Sequence, residues 1–319
     1  MQLLQFWEEL IVESKFFKAT KIMDGVTAIA GLGGELAYLV EGSERALLID
    51  GLTGIGSLKA FVRELTDLPV QIALTHGHID HNGAIYEYGQ CYVHPYDIPM
   101  LFPGGEDDGG GLSFARHSDP EAKYDFVVNG RVLQGNANGI TMDDVQKPCN
   151  IRTWPIFEGD VFDLGGVEIE VAEIPGHTNG TVVFLDRARR ILFSGDACNM
   201  NTLIGIPGAT TIEDYKEALE HFKAKYGDTF DVMYGGHGLA AIPAKIIDDG
   251  IKLCDMIMKG EDDHVESEHR GRKQILALKR GERYAPVNGS LCNIQYAKEK
   301  VFKRDVKPVI KNGPVGERW

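Results

Sequence analysis

The chain has 319 residues, 43% of them hydrophobic and 25% charged, with a formal net charge of −14 at pH 7. That is enough chain for one large domain with an accessory segment, and an ordinary globular balance that excludes disorder as the default. The acidity argues against a nucleic-acid footprint over the whole surface, although thirteen Lys/Arg against six Asp/Glu from His264 onward make the C-terminal region locally basic.

In the first twenty residues, MQLLQFWEELIVESKFFKAT, acidic residues interrupt every apolar run, so neither a secretory leader nor a membrane span is expected. Leu3, Leu4, Phe6, Trp7, Leu10 and Ile11 recur at roughly helical spacing, which predicts an N-terminal helical extension over 1–20. Cys91, Cys149, Cys198, Cys254 and Cys292 are scattered and odd in number, which predicts reduced thiols in a cytoplasmic protein.

From Lys21 the chain reads as short strands joined by glycine turns. AYLVEG and ERALLIDG are neighbouring strands reversing at Gly42–Ser43. GSLKAFVREL is a helix, PVQIALT a buried strand, GAIYEYG a short helix and CYVHP another strand. Leu101–Asn150, rich in glycine and polar residues, reads as an insertion over one face, either a mobile lid or a long surface excursion. Alternation returns in VFDLGGVEIEVAEIPG and GTVVFLDRARRILFSGD, two hairpins. TIEDYKEALEHFKAKYG is a helix capped by Thr210 or Thr211, FDVMYGG a strand, and PAKIIDDGIKLCDMIMKG a further helix with Pro243 near its start. Strands then helix, twice over, predict an α/β fold of two mixed sheets with outer helices rather than a doubly wound parallel sheet. The expected divisions are 21–245 for the catalytic domain, including the 101–150 insertion over the active site, and 246–319 for a helical and stranded segment packed on it.

The chemistry concentrates in LTHGHIDHNG, Leu74–Gly83, at the end of a buried strand. His76 and His78 are two positions apart, so on an extended end or tight loop their imidazoles can converge on one ion. Asp80 and His81 follow and can serve a second. One histidine alone is commonly a hydrogen-bonded core or surface residue, but four ligand types at one strand end have little packing purpose. IPGHTNG places His177, FSGDACN places Asp196 and MYGGHG places His237 at three further strand exits, each beside glycine. These donors suit two divalent ions, zinc first, with manganese or iron as alternatives. Cys198, with no base to pair with, reads as wall or core. His94 reads as a hydrogen-bonded residue after a strand, and His117 as an insertion residue able to enter the cleft.

THGHIDH, GHTNG, SGD and GGHG together resemble the metallo-β-lactamase superfamily, and within it the glyoxalase-II-like hydrolases. The resemblance covers about Lys21–Leu239. It implies a four-layer αββα sandwich with the metals at the edge between the sheets. It also implies that His76, His78 and His177 hold one ion, that Asp80, His81 and His237 hold the other, and that Asp196 bridges them. Asp50, in DGLTG where many relatives have Asp-Thr-Gly, takes the structural role near the metal loop.

Two adjacent ions lower the pKa of a bridging water, and the resulting hydroxide can attack an ester-like bond. Asp80 can orient it and move a proton. The expected protein is a binuclear metal-dependent hydrolase of a small thioester, ester or lactone. A phosphodiesterase of a small nucleotide or phospholipid-type substrate is the alternative, and a non-catalytic metal-containing sensor is the alternative of another class. The expected pocket wall combines the insertion, the C-terminal segment and CNMNTLIGIPGATT, whose Met200, Leu203, Ile204, Ile206 and Pro207 are apolar. A small-molecule substrate, no nucleic acid and no membrane span complete the expectation, and a homodimer is left open.

Overall fold

A computed structural model describes residues 9–102, 118–131, 138–269, 271–281 and 286–305. The first sheet has eight strands in chain order: β1 (Glu9–Glu13), β2 (Lys18–Met23), β3 (Val26–Ala30), β4 (Leu36–Glu41), β5 (Ala46–Ile49), β6 (Val70–Ala73), β7 (Gln90–Val93) and β8 (Arg152–Pro155). Pairing is antiparallel up to β5 and parallel from β5 to β8. The second sheet contains β9 (Val161–Asp163), β10 (Glu168–Glu173), β11 (Val182–Asp186) and β12 (Ile191–Gly195). After β13 (Thr202–Leu203), which leaves it, the second sheet is completed by β14 (Val232–Gly235) and β15 (Ile242–Pro243).

Side-chain alternation assigns the layers. In β4, Leu36, Tyr38 and Val40 face Phe162, Ile169, Val171, Phe184 and Phe193 of the second sheet. Ala37 and Leu39 face the outer layer instead, where helix α1 (Leu58–Leu65) and the short α2 (Ile85–Tyr88) pack. Helix α1 starts at Ser57, whose hydroxyl accepts from Ala60 N–H, and buries Leu58, Phe61 and Val62 on one stripe. β11 divides in the same way: Val182 and Phe184 point between the sheets, Val183 and Leu185 outward.

Three more α-helices lie among the described residues. The insertion carries α3 (Pro120–Tyr124), which continues into a wide turn over Asp125–Arg131. Helix α4 (Ile212–Tyr226) is capped reciprocally by Thr211 and Asp214, and α5 (Ile246–Lys259) lies beside it over the second sheet. This is the two-sheet, helix-flanked architecture expected from the sequence.

Three expectations are corrected. The N-terminal helix is a strand where it is described: β1 pairs antiparallel with β2. The Ser14 hydroxyl accepts from the N–H groups of Phe16 and Phe17, turning the chain so that Glu9–Glu13 completes the ladder of β2. Pairing at a sheet edge overrides a weak helical periodicity. Met1–Glu8 lie outside the described residues. Pro243 belongs to β15, and α5 begins three residues later. A third sheet was not anticipated: β13, β16 (Val265–His269), β17 (Arg272–Leu276) and β18 (Ile294–Tyr296) form it. It buries Ile275, Ile294 and Tyr296 in the core under α4 and α5, so these described strands pack on the same body. Ile204 and Ile206, expected to line a pocket, are part of that core.

Candidate metal centre

Parallel registers bring the motif-bearing strand ends to one edge. Ile49 pairs with Ala73, so Asp50 and the Leu74–Gly83 loop leave the first sheet together. Gly195 pairs with Gly235, so Asp196 and His237 leave the second sheet together. The two sheets are tied at this edge by Leu36 N–H on Gly236 O (2.8 Å), Val182 N–H on Thr75 O (2.9 Å) and the Tyr38 hydroxyl on Gly235 O. Gly236 has to lack a side chain: a Cβ there would lie 2.7 Å from His81 Cε1 and 2.8 Å from Asp196 Oδ1.

All seven residues singled out by the motifs converge. Their donor atoms form three overlapping triads, each within 4.8 Å: His76–His78–His177, His76–His81–Asp196 and Asp80–His81–His237. Six of the seven are buried, and the His237 side chain is 26% exposed, so the cluster opens toward solvent on its side. His78 Nδ1 lies 2.9 Å from His177 Nε2, and the Asp196 carboxylate lies 3.5 Å from both His177 and His237.

The ring orientations have identifiable causes. His177 Nδ1–H donates to Leu203 O at 2.9 Å, which turns Nε2 into the cluster. Leu203 is held by the third sheet, because β13 pairs with β18 and Ile204 N–H donates to Gln295 O. Asp50 accepts from Thr75 N–H (2.7 Å), from the Thr75 hydroxyl (2.9 Å to Oδ2) and from His81 Nδ1–H (2.9 Å). Since the single Thr75 hydroxyl proton goes to Asp50, its oxygen accepts from His76 Nδ1–H at 3.0 Å. One carboxylate therefore orients two imidazoles, with each Nε2 aimed at the cluster. Asp50 adopts a left-handed backbone (φ 67°) to do this.

Electrostatics divides the cluster. Burial, with the neighbouring His81 and His177 charges, holds His76 well below the usual histidine range, and burial also lowers His177. Burial opposes the charged form of His81 too, but Asp50 outweighs it and pushes His81 up to about 10. His237 is raised by Asp196 against its own burial. Asp196, despite burial, is held well below the carboxylate range by His237, His177 and His81.

The donor set fits divalent ions. His76 Nε2, His81 Nε2 and Asp196 Oδ1 are buried and have no hydrogen-bond partner in the protein. A buried polar atom without a partner costs about 1–3 kcal/mol, and three of them in one cluster of donors fit a site for divalent ions. The donor set is suited to a binuclear hydrolytic centre.

The chain belongs to the metallo-beta-lactamase superfamily. The family model matches residues 30–237, well over half of the sequence. Among curated relatives, the acyl-coenzyme A thioesterase MBLAC2 of Homo sapiens is 30% identical over 190 residues, covering 56% of this chain and 63% of that protein. The chain thus matches less than two thirds of that relative's length. In fold it is similar to a metallo-beta-lactamase family protein of Thermus thermophilus, at TM-score 0.50 and 20% identity over 75% of this chain and 82% of the other. It is also similar to a sec-alkylsulfatase of Pseudomonas sp., at TM-score 0.54 and 14% identity over 76% of this chain and 42% of the other.

Other sequence expectations resolve as follows. His94 is buried, its Nδ1 accepting from Tyr96 N–H and its Nε2 3.5 Å from Glu173, away from the donor triads. Cys198 is a core residue 4.0 Å from Cys292 Sγ, and all five cysteines are free. Thr178 bonds Asp97 and Thr181, and Asn82 is buried. His117 lies outside the described residues. No helix among the described residues is long and apolar enough to cross a membrane.

Two residues of the site escape sequence reasoning. Buried Asp97 accepts from Gly77 N–H (2.8 Å), Gly180 N–H (3.1 Å) and the Thr178 hydroxyl (2.7 Å), joining the His76–His81 loop to the His177 loop. Its only local signal is a carboxylate directly before the apolar run Ile98–Leu101. Lys123, fully buried on α3, donates to Asn82 Oδ1 at 2.8 Å. Asp119–Pro120 announces the start of a helix, but nothing local marks Lys123 as buried.

Proposed function

We propose that the protein is a metal-dependent hydrolase of acyl thioesters or related esters of small organic molecules. The observation that carries this reading is the convergence of seven donors on buried, unpartnered His76 Nε2, His81 Nε2 and Asp196 Oδ1. The likeness to an acyl-coenzyme A thioesterase supports a thioester as the bond attacked. In this reading His76, His78 and His177 hold one ion, Asp80, His81 and His237 the other, and Asp196 is shared. Zinc suits the nitrogen-rich first set. When bound, the ions acidify a water and polarise the acyl carbonyl.

The chain's own residues supply the rest. Asp50 and Leu203 O fix the tautomers of His76, His81 and His177, so that lone pairs rather than protons face the centre. Asp80, whose Oδ2 lies 3.4 Å from His237 Nε2 on the open side, is placed to accept a proton from the attacking water and return it to the leaving group. The five free thiols suit a reducing, cytoplasmic compartment.

The deciding experiment reconstitutes the protein with zinc or manganese. It then measures turnover on acyl-coenzyme A thioesters, carboxylic esters, lactones and phosphodiesters. Thioester or ester hydrolysis that stops on chelation and returns with metal is expected. Turnover of phosphodiesters alone would replace the reading with a phosphodiesterase, and two bound ions with no turnover would replace it with a binding protein.

A further inference from the structure

The insertion is keyed into the metal-binding loop through two successive layers. Its own small core of Val127, Val128, Ile140 and Val145 closes on Ile55, just beyond Asp50. Gly56 N–H donates to Asp144 O (2.7 Å), Gln146 N–H to Gly54 O (2.8 Å), and Ile55 bridges Val145. The Asp50–Gly54 loop is fastened in turn to the metal-binding loop: Gly51 N–H donates to His81 O (2.6 Å) and Gly83 N–H to Leu52 O (2.8 Å). The backbones approach so closely that a Cβ on Gly83 would stand 2.1 Å from Gly54 N.

Lys123 spans both layers at once. Its ammonium reaches Asn82 Oδ1 at 2.8 Å and lies 5.0 Å from the centre of the Tyr86 ring. Asn82 Nδ2 donates onward to Gly77 O at 3.0 Å, and Gly77 N–H meets Asp97. Asn82 thus closes the loop that carries Gly77 through His81. With no exposed surface, Lys123 cannot touch a substrate. A charged group is costly to bury, and its hydrogen bond here ends on the residue next to His81 rather than on a neighbour within the insertion.

We propose that Lys123 is a positioning residue for the Asp80–His81 half of the centre, and that the described parts of the insertion, 118–131 and 138–150, are a fixed support of the metal-binding loop. The inference rests on the two-ion reading but not on the substrate. It is tested without substrate, by titrating cobalt(II) into the metal-free protein and its variants and following the visible spectrum. In Lys123→Met the first ion should bind as in the parent, while the second binds about 10- to 100-fold more weakly with an altered band, as for loss of an outer partner of a metal ligand. Asn82→Ala should give the same selective loss. The double variant should lose little more than the worse single one, because the chain is already broken. Second-ion binding that is unchanged or tighter in Lys123→Met overturns the proposal, and so do additive losses in the double variant. If Lys123→Met does not fold, Asn82→Ala alone decides, with an unchanged second-ion affinity overturning it. Failure of thioester turnover with these shifts intact would count against the substrate reading only.

Discussion

The two halves of the donor cluster draw on one ten-residue stretch yet are supported differently. His76, His78 and His177 are buried, and His76 and His177 are backed by a hydroxyl and a carbonyl. Burial keeps those two rings neutral, with lone pairs available near neutral pH. Asp80 and His81 are buried too, and only His237 of this half is partly exposed; His81 is backed by a carboxylate, Asp50, and Asp196 stands 3.5 Å from the ring nitrogens of both His177 and His237. Asp50 raises His81 to about 10 and Asp196 raises His237, so an ion competes with protons at these rings more than at His76 and His177. Neutral backing in a buried pocket gives a donor that is ready at once. Carboxylate backing gives a more basic donor, stronger once deprotonated. The first half should therefore bind its ion more tightly than the second.

The largest break in that comparison should come from Asp196→Ala, which removes the one donor adjacent to both halves. Second-ion content by elemental analysis and hydrolysis should fall together, with turnover down on the order of 10²–10³-fold. Full activity would show that the halves do not share this carboxylate. Asp50→Asn sharpens the comparison. His81 loses its carboxylate directly and His76 only through Thr75, so ion affinity should drop about 10- to 100-fold, more for the second ion than for the first. Equal losses in a chelator competition would show that backing does not set the order.

A smaller effect concerns pH. Burial lowers Lys123 from 10.5 to about 7, against the attraction of Asp80. Between those values the unfolded chain holds a proton that the folded protein has released, so folding gains stability as pH rises from about 7 and loses it as pH falls back. Thermal melts of the parent and Lys123→Met should diverge in the parent's favour between pH 7 and 9, by at most about 1.4 kcal/mol per pH unit. Parallel profiles would mean that the lysine stays charged where it is buried. The smallest expected effect is that of His94→Gln. It disturbs the contact with Glu173 and should leave the content of both ions unchanged. Loss of either ion would place His94 in the centre after all.

The local part of the site was legible before any fold. Spacing within His76–His81, and glycine beside His177, Asp196 and His237, are properties of a few adjacent residues. The hairpins, the α4 cap at Thr211 and the strand feeding His76 likewise follow from alternation and capping chemistry over short windows. The resemblance carried the assembly of the seven, which spacing alone does not fix.

What only the tertiary structure decided depends on pairing between distant segments. Parallel registers of β5 with β6 and of β12 with β14 bring Asp50 beside Thr75 and Asp196 beside Gly236. The edge of β2 makes a strand of Glu9–Glu13, and a third sheet delivers the carbonyl of Leu203 to His177. Asp97 and Lys123 gain their roles from partners 20 to 83 residues away. Donor chemistry is a property of side chains and can be read in one dimension. Orientation, burial and protonation are set by what folds against those side chains, and that exists only in three.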